Sequence, residues 1–180
     1  PADFAGSRII LPDLTFGGRL TIDAGGLTVD LHHLPGHTAD SVVVHVPELG
    51  LLLAGDAVET PLPTLSEPGH IRAWAAALRA WSRAGITHVV PGHGRPGGPE
   101  LLADNAAYIE RVLEAAEAGL AKGQSPDEIA AGLPLDRLFP AVDFARLPPY
   151  YAQQHEANIA VAIAELQETA TGAPPAPPDQ

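Results

Sequence analysis

His33-Leu34-Pro35-Gly36-His37-Thr38 follows the alternating apolar positions Leu27, Val29 and Leu31, so it reads as a metal-ligand loop entered directly from a β-strand. Two later stretches have the same build. Leu52-Leu53-Ala54-Gly55-Asp56 and Val89-Val90-Pro91-Gly92-His93-Gly94 each close an apolar run, and each delivers one metal-competent side chain, a carboxylate and an imidazole. Two imidazoles and a carboxylate suit zinc, or iron or manganese. The glycine before each ligand tolerates a tight, left-handed backbone, which lets a strand end turn its next side chain toward a common point.

Working outward, Arg8 to Leu11 is a short apolar run closed by Pro12-Asp13 and predicts an edge strand. Leu20 and Ile22 alternate with polar residues. Asp23-Ala24-Gly25-Gly26 supplies a turn, and the alternation resumes at Leu27, which predicts a β-hairpin running into His33. Ser41 to Val46, a turn at Pro47 to Gly50, and Leu51 to Ala54 predict a second hairpin whose last strand ends at Gly55-Asp56. Thr60 to Pro68 is proline-rich and polar, a loop near the mouth of the site. Ile71, Trp74, Leu78 and Trp81 then recur at helical spacing, Gly85 stops that helix, and Thr87 to Val90 is a short strand leading to the third loop.

Beyond His93 the chain reads as helical. Leu101, Leu102, Asn105, Tyr108, Ile109, Val112 and Leu113 share one face of a long helix that Gly119 or Gly123 stops. Ser125-Pro126 is an N-cap followed by proline in the first turn of a short helix. Tyr151, His155, Ile159, Ile163 and Leu166 share the face of a last helix, and the Ala-Pro-Pro-rich residues 171–180 are expected to be a disordered tail.

With 180 residues, 46% of them hydrophobic, one domain is the natural count. No apolar run approaches a membrane span, and the expected location is cytoplasmic. The absence of cysteine removes disulfides, thiolate ligands and cysteine nucleophiles together, so a bound metal is held by nitrogen and oxygen. A formal charge of −12 with one lysine, Lys122, argues against a nucleic-acid partner.

The order, residue types and local sequences of the three loops resemble the C-terminal half of the metallo-β-lactamase superfamily of metallohydrolases, over roughly Arg8 to Gly94, with the helical remainder fitting more loosely. The resemblance implies an α/β (α+β) fold, the αββα sandwich, with residues 1–122 as the C-terminal half of that domain and 123–170 as a helical extension packed on it. It also implies roles. His37 completes one metal site, Asp56 bridges two metals and is the catalytic carboxylate, and His93 completes the second site. Two zinc ions are expected, with iron or manganese as alternatives. The implied chemistry is attack of a metal-activated hydroxide on an ester, thioester, lactone or lactam carbonyl of a small-molecule substrate.

The family's principal ligand motif, His-x-His-x-Asp-His, is absent from the chain. By resemblance it belongs to a segment preceding Pro1, so the expectation is a fragment: a proteolytic product, one polypeptide of a split enzyme, or an excised piece. That N-terminal segment is then the required partner, and homo-oligomerisation is left open. Two other classes stand beside the hydrolase: a metal-poor scaffold or binding subunit, and a non-hydrolytic cyclase on the same fold.

The remaining polar residues carry two readings each. Thr38, Asp40 and Ser41 either orient His37 or cap the following turn. His33 is expected to support the site without ligating. His32 alternates to the opposite face of the same strand, toward solvent, while His45 lies in an apolar strand as a hydrogen-bonded core residue and His88 is structural. His70 borders the proline-rich loop within reach of substrate. His155 is either packed against a neighbour or touches substrate; Trp74 and Trp81 read as core; Tyr150 and Tyr151 line a pocket or anchor the last helix.

Overall fold

The computed structural model describes residues 6–171. Five strands form one sheet in the order of the chain: β1 (Arg19–Asp23), β2 (Thr28–His33), β3 (Val42–Val46), β4 (Leu51–Glu59) and β5 (His88–His93). The first four run antiparallel, and β5 joins β4 in parallel after a crossover through α1 (Ile71–Trp81). The β1–β2 hairpin turns at Gly25 and Gly26, whose φ angles of 73° and 105° lie where residues bearing a Cβ are strained. After β5 come α2 (Glu100–Leu120), α3 (Pro126–Gly132), α4 (Leu135–Leu138) and α5 (Tyr150–Thr171). Ser125 caps the start of α3, as the Ser125-Pro126 stretch predicts, and Glu128 answers it to close a reciprocal capping box.

Strand register separates the two faces of the sheet. Thr21, Asp30, His45, Leu52 and Val89 are successive cross-strand partners on the face toward the helices. There Leu52, Val89, Val43 and Ala54 share one core with Trp74, Leu78, Ile109 and Val112. The adjacent row, Leu20, Leu31, Val44, Leu53 and Val90, crosses all five strands on the other face, and none of these apolar side chains is buried. Helices thus cover one face only. α3 and α5 continue the same core through Ile129, Ile159, Ala162 and Ile163, so the hydrophobic interior crosses the position 122/123.

Several expectations need correction. Arg8 to Leu11 pairs with no strand among the described residues, and Ile9, Ile10 and Leu11 are exposed. Strand β4 does not end at Gly55-Asp56: it continues to Glu59 through a register shift against β5 at Gly55, where φ is 51°. β5 likewise reaches His93 itself, so that ligand candidate sits on a strand end and not in the loop beyond it. Of the expected tail, residues 172–180 lie outside the described residues, and Thr171 closes α5. No helix among the described residues is long and apolar enough to cross a membrane.

Candidate metal centre

Asp56 and His93 meet because β4 and β5 are parallel neighbours that reach the same end of the sheet. Gly55 pairs with Pro91 and Glu59 with His93, and His93 Nε2 lies 3.6 Å from Asp56 Oδ1. Gly92 makes this approach possible: a Cβ there would overlap the Asp56 carboxylate and come within 2.8 Å of the Asp56 backbone nitrogen. Of the three glycines that precede ligand candidates, only Gly55 has a positive φ. Gly36 and Gly92 are needed for space, Gly36 because the Trp74 ring stands 3.0 Å from where its Cβ would be.

His37, from the β2–β3 connection, reaches Glu59 at the end of β4. Its Nδ1 lies 3.1 Å from the Thr64 carbonyl oxygen, an acceptor, so Nδ1 carries the proton and Nε2 keeps its lone pair. The Glu59 carboxylate stands 3.5 Å from the same Nδ1. Glu59 is 5% exposed, and burial pushes its carboxyl above the ordinary carboxylate range; hydrogen bonds from Thr64 and the nearby His37 pull it back, and Asp56 pushes it further up. Glu59 therefore feels both His37 and Asp56 and ties the two halves of the site together.

A frame of hydrogen bonds holds these groups. Thr64 Oγ1 donates to Glu59 Oε2 at 2.9 Å and accepts from Gln154 of α5. Asn105 of α2 accepts from Glu59 N and donates to Glu59 O, each at 3.0 Å. Asn158 of α5 accepts from Leu65 N at 2.9 Å and donates to Pro63 O at 2.8 Å, and Ser66 Oγ donates to His37 O. The proline-rich loop is thus clamped between α5 and His37.

The secondary candidates fall in other places. Thr38, Asp40 and Ser41 bond to one another, with Thr38 Oγ1 donating to Asp40 Oδ1 at 2.7 Å and Thr38 N to Ser41 Oγ at 3.0 Å, so they cap the turn and none holds the His37 ring. His33 Nε2 bonds Ala39 O at 2.8 Å across the base of the same loop. His70 Nε2 bonds Gly36 O at 2.7 Å and so steadies the backbone before His37. His155 is 4% exposed with both ring nitrogens engaged, by Tyr108 Oη and Leu133 O; packing, not substrate contact, occupies it. His32 is half-buried and not simply turned to solvent: it packs edge-on against Trp81 beside His45, and Trp81 is itself only half-buried. Tyr150 is exposed, and Tyr151 packs edge-on against Phe144 at the start of α5.

Glu59, Thr64, Asn105, Gln154 and Asn158 were missed by reasoning from the sequence. Glu59 had a signal, a lone acid closing the apolar run Leu51 to Val58 three residues after Asp56. Gln154 and Asn158 also had one, being polar residues four apart beside the apolar stripe of the last helix. Thr64 had none.

The donor set fits a hard or borderline cation. It consists of oxygen and nitrogen only, the His37 lone pair is freed by the bond at its other nitrogen, and a glycine leaves room for Asp56 against β5. The groups are arranged as two close pairs, His37 with Glu59 and Asp56 with His93, and not as a cluster of three within 4.8 Å.

Residues 2–121 match a sequence family described as the metallo-beta-lactamase superfamily. The chain is 28% identical over 111 residues to the type 2 metallo-beta-lactamase of Bacteroides fragilis, a match covering 58% of this chain and 44% of that enzyme. It is 26% identical over 159 residues to the linear primary-alkylsulfatase of a Pseudomonas species, covering 81% of this chain and 28% of the relative. The chain therefore spans less than half the length of either relative. The crystal structure of a metallo-beta-lactamase family protein from Thermus thermophilus superposes with a TM-score of 0.60 at 20% identity, over 89% of this chain and 50% of the other. That likeness concerns the fold, and it takes in helices beyond the sheet.

Proposed function

The chain belongs to the metallo-β-lactamase superfamily, whose members include metal-dependent hydrolases, and on that premise we propose that His37, Asp56 and His93 serve a two-zinc hydrolytic centre. The observation that carries this reading is the junction of β4 and β5, where Asp56 and His93 stand 3.6 Å apart over a glycine that admits no side chain. Cations held by these residues would supply Lewis acidity, activating water near neutral pH and polarising the bond to be cleaved. The chain's own residues do the positioning. Thr64 O and Glu59 engage the His37 ring at Nδ1, which leaves Nε2 for a ligand, and a Glu59 carboxylate favours a cationic neighbourhood. No serine or cysteine nucleophile is called for.

The centre is completed, on this reading, by a segment carrying His-x-His-x-Asp-His, which supplies the remaining imidazoles. The uncovered apolar row on the sheet supports it, and so does the partial coverage of the relatives. The substrate has a carbonyl of the ester, thioester, lactone or lactam type. A sulfate ester is the second reading, favoured by the match to the alkylsulfatase, which covers 81% of this chain against 58% for the lactamase. We expect the assembled protein to lose hydrolysis on chelation and regain it with zinc, and His93→Ala or Asp56→Asn to lower zinc stoichiometry and to reduce turnover by roughly a hundredfold or more. Retention of full zinc content and activity in either variant would overturn the assignment. Hydrolysis in ¹⁸O-labelled water separates the substrate classes, since label enters a carboxylate in one and sulfate or alcohol in the other.

A further inference from the structure

A second group of metal-competent side chains lies away from His37, Asp56 and His93, on the helix-side face of the sheet. Asp30 of β2 stands opposite His45 of β3, and His32 lies two residues along β2, so the strand alternation puts all three on one face. One carboxylate oxygen of Asp30 and one ring nitrogen each of His32 and His45 lie within 4.8 Å of one another. No other three His, Asp or Glu ligand atoms among the described residues are gathered so closely.

The state of each group suits a cation. Asp30 is 4% exposed, and hydrogen bonds from Arg19 and Thr21 hold its carboxyl below the ordinary range, so it is ionised. Burial, helped by the charge of Arg19, holds the His32 imidazole below its usual value, so it keeps a lone pair at neutral pH. Neither the His32 nor the His45 ring hydrogen-bonds to any described residue, and both are half-buried, within reach of solvent. Trp81, at the end of α1, meets both rings edge-on, with centroids 5.0 and 5.4 Å away, and holds them side by side.

We propose that Asp30, His32 and His45 form a binding site for a divalent transition-metal ion, zinc foremost, that clips β2 to β3 beneath Trp81. Tetrahedral donors at about 2 Å from zinc stand roughly 3.3 Å apart, so the three atoms close by no more than about 1.5 Å. The fourth position is left to water. Arg19 Nη2 holds the carboxylate at 2.8 Å, but its side chain is 58% exposed, so it is free to give way to a cation. Asp30 then exchanges a monovalent partner for a divalent one. This site is independent of the hydrolytic centre and of its completing segment.

The test uses the full chain stripped of metal. Zinc is titrated in competition with a chromogenic chelator, and cupric ion is titrated while tryptophan emission is followed. The wild type should bind one equivalent more than His32→Gln/His45→Gln. Cupric ion should quench Trp81, a signal lost in Trp81→Phe and in the double variant. Arg19→Ala, which removes a neighbouring like charge and leaves both imidazoles, should tighten zinc binding at this site by about fivefold. Equal stoichiometry and equal quenching in the wild type and the double variant would overturn the proposal. So would an unchanged zinc affinity in Arg19→Ala, and this arm decides the matter if the double variant fails to fold.

Discussion

A buried histidine must choose one protonation state, and His155 is built for the neutral one. Its Nε2–H donates to Leu133 O at 2.8 Å, and its Nδ1 accepts from Tyr108 Oη at 2.9 Å. Tyr108 Oη in turn accepts from Asn158 Nδ2 at 2.8 Å, and burial pushes the phenol well above its ordinary value, keeping it a donor. Burial also holds the His155 imidazole below its ordinary value of 6.5. The sign of the pH effect follows. The unfolded chain takes up this proton first as pH falls below 6.5, so stability present above that value is lost until the native ring also protonates. We expect urea-unfolding free energy to drop more between about pH 7.5 and about pH 5.5 in the wild type than in His155→Gln. Equal slopes in the two proteins would show that the ring does not titrate with folding.

At the scale of elements, α5 works as a clamp. Gln154, Asn158 and Glu165 recur at intervals of four and seven along one helix face, and each is a buried polar residue. Glu165 completes the start of α1, where His70 offers no side-chain cap. Its carboxylate accepts from Gly69 N at 2.6 Å, Ile71 N at 3.2 Å and Arg72 N at 3.3 Å, satisfying donors that the first turn of a helix leaves open and complementing the positive end of its dipole. α3 solves the same problem locally with Ser125 and Glu128, whereas α1 borrows its cap from a helix more than ninety residues away in sequence. Glu165→Ala should therefore cost about 2–3 kcal/mol in chemical denaturation, and it should speed amide exchange at Ile71 and Arg72 before that of the sheet. A loss under about 0.5 kcal/mol, with unchanged exchange at these amides, would count against the clamp.

For the whole molecule, the decisive feature is the asymmetry of the sheet. One face carries the helices, while on the other Ile22 and Leu53 are 44% and 40% exposed, Leu53 within the apolar row and Ile22 beside it. Such a patch is unusual on a free surface and is the natural seat for the second layer of the sandwich. On the proposed reading, Leu53→Lys leaves the helix-side core intact, so this chain keeps a thermal midpoint near that of the wild type. It should, however, weaken association with the segment carrying His-x-His-x-Asp-His by roughly tenfold or more, read by native mass spectrometry. Undiminished association would place that segment elsewhere.

Much of this architecture is legible in the sequence, because alternation, helical spacing and glycine-proline punctuation are local properties of the chain. The two hairpins, the helix α1, the long helix α2 and the N-cap at Ser125 follow from them directly, and so do the three Gly-ligand pairs that the family resemblance interprets. What local pattern cannot supply is which distant groups meet. The continuation of β4 to Glu59 depends on a register shift against β5, a strand that begins almost thirty residues later. The tautomer of His37 is set by a carbonyl in the proline-rich loop, whose position depends in turn on α5. His32 packs against Trp81 because α1 lies on that side of the sheet. An apolar strand residue is buried by any partner that excludes water, so its pattern shows in the sequence; a hydrogen bond or a ligand needs one particular partner at one distance and angle, and only the folded chain selects it.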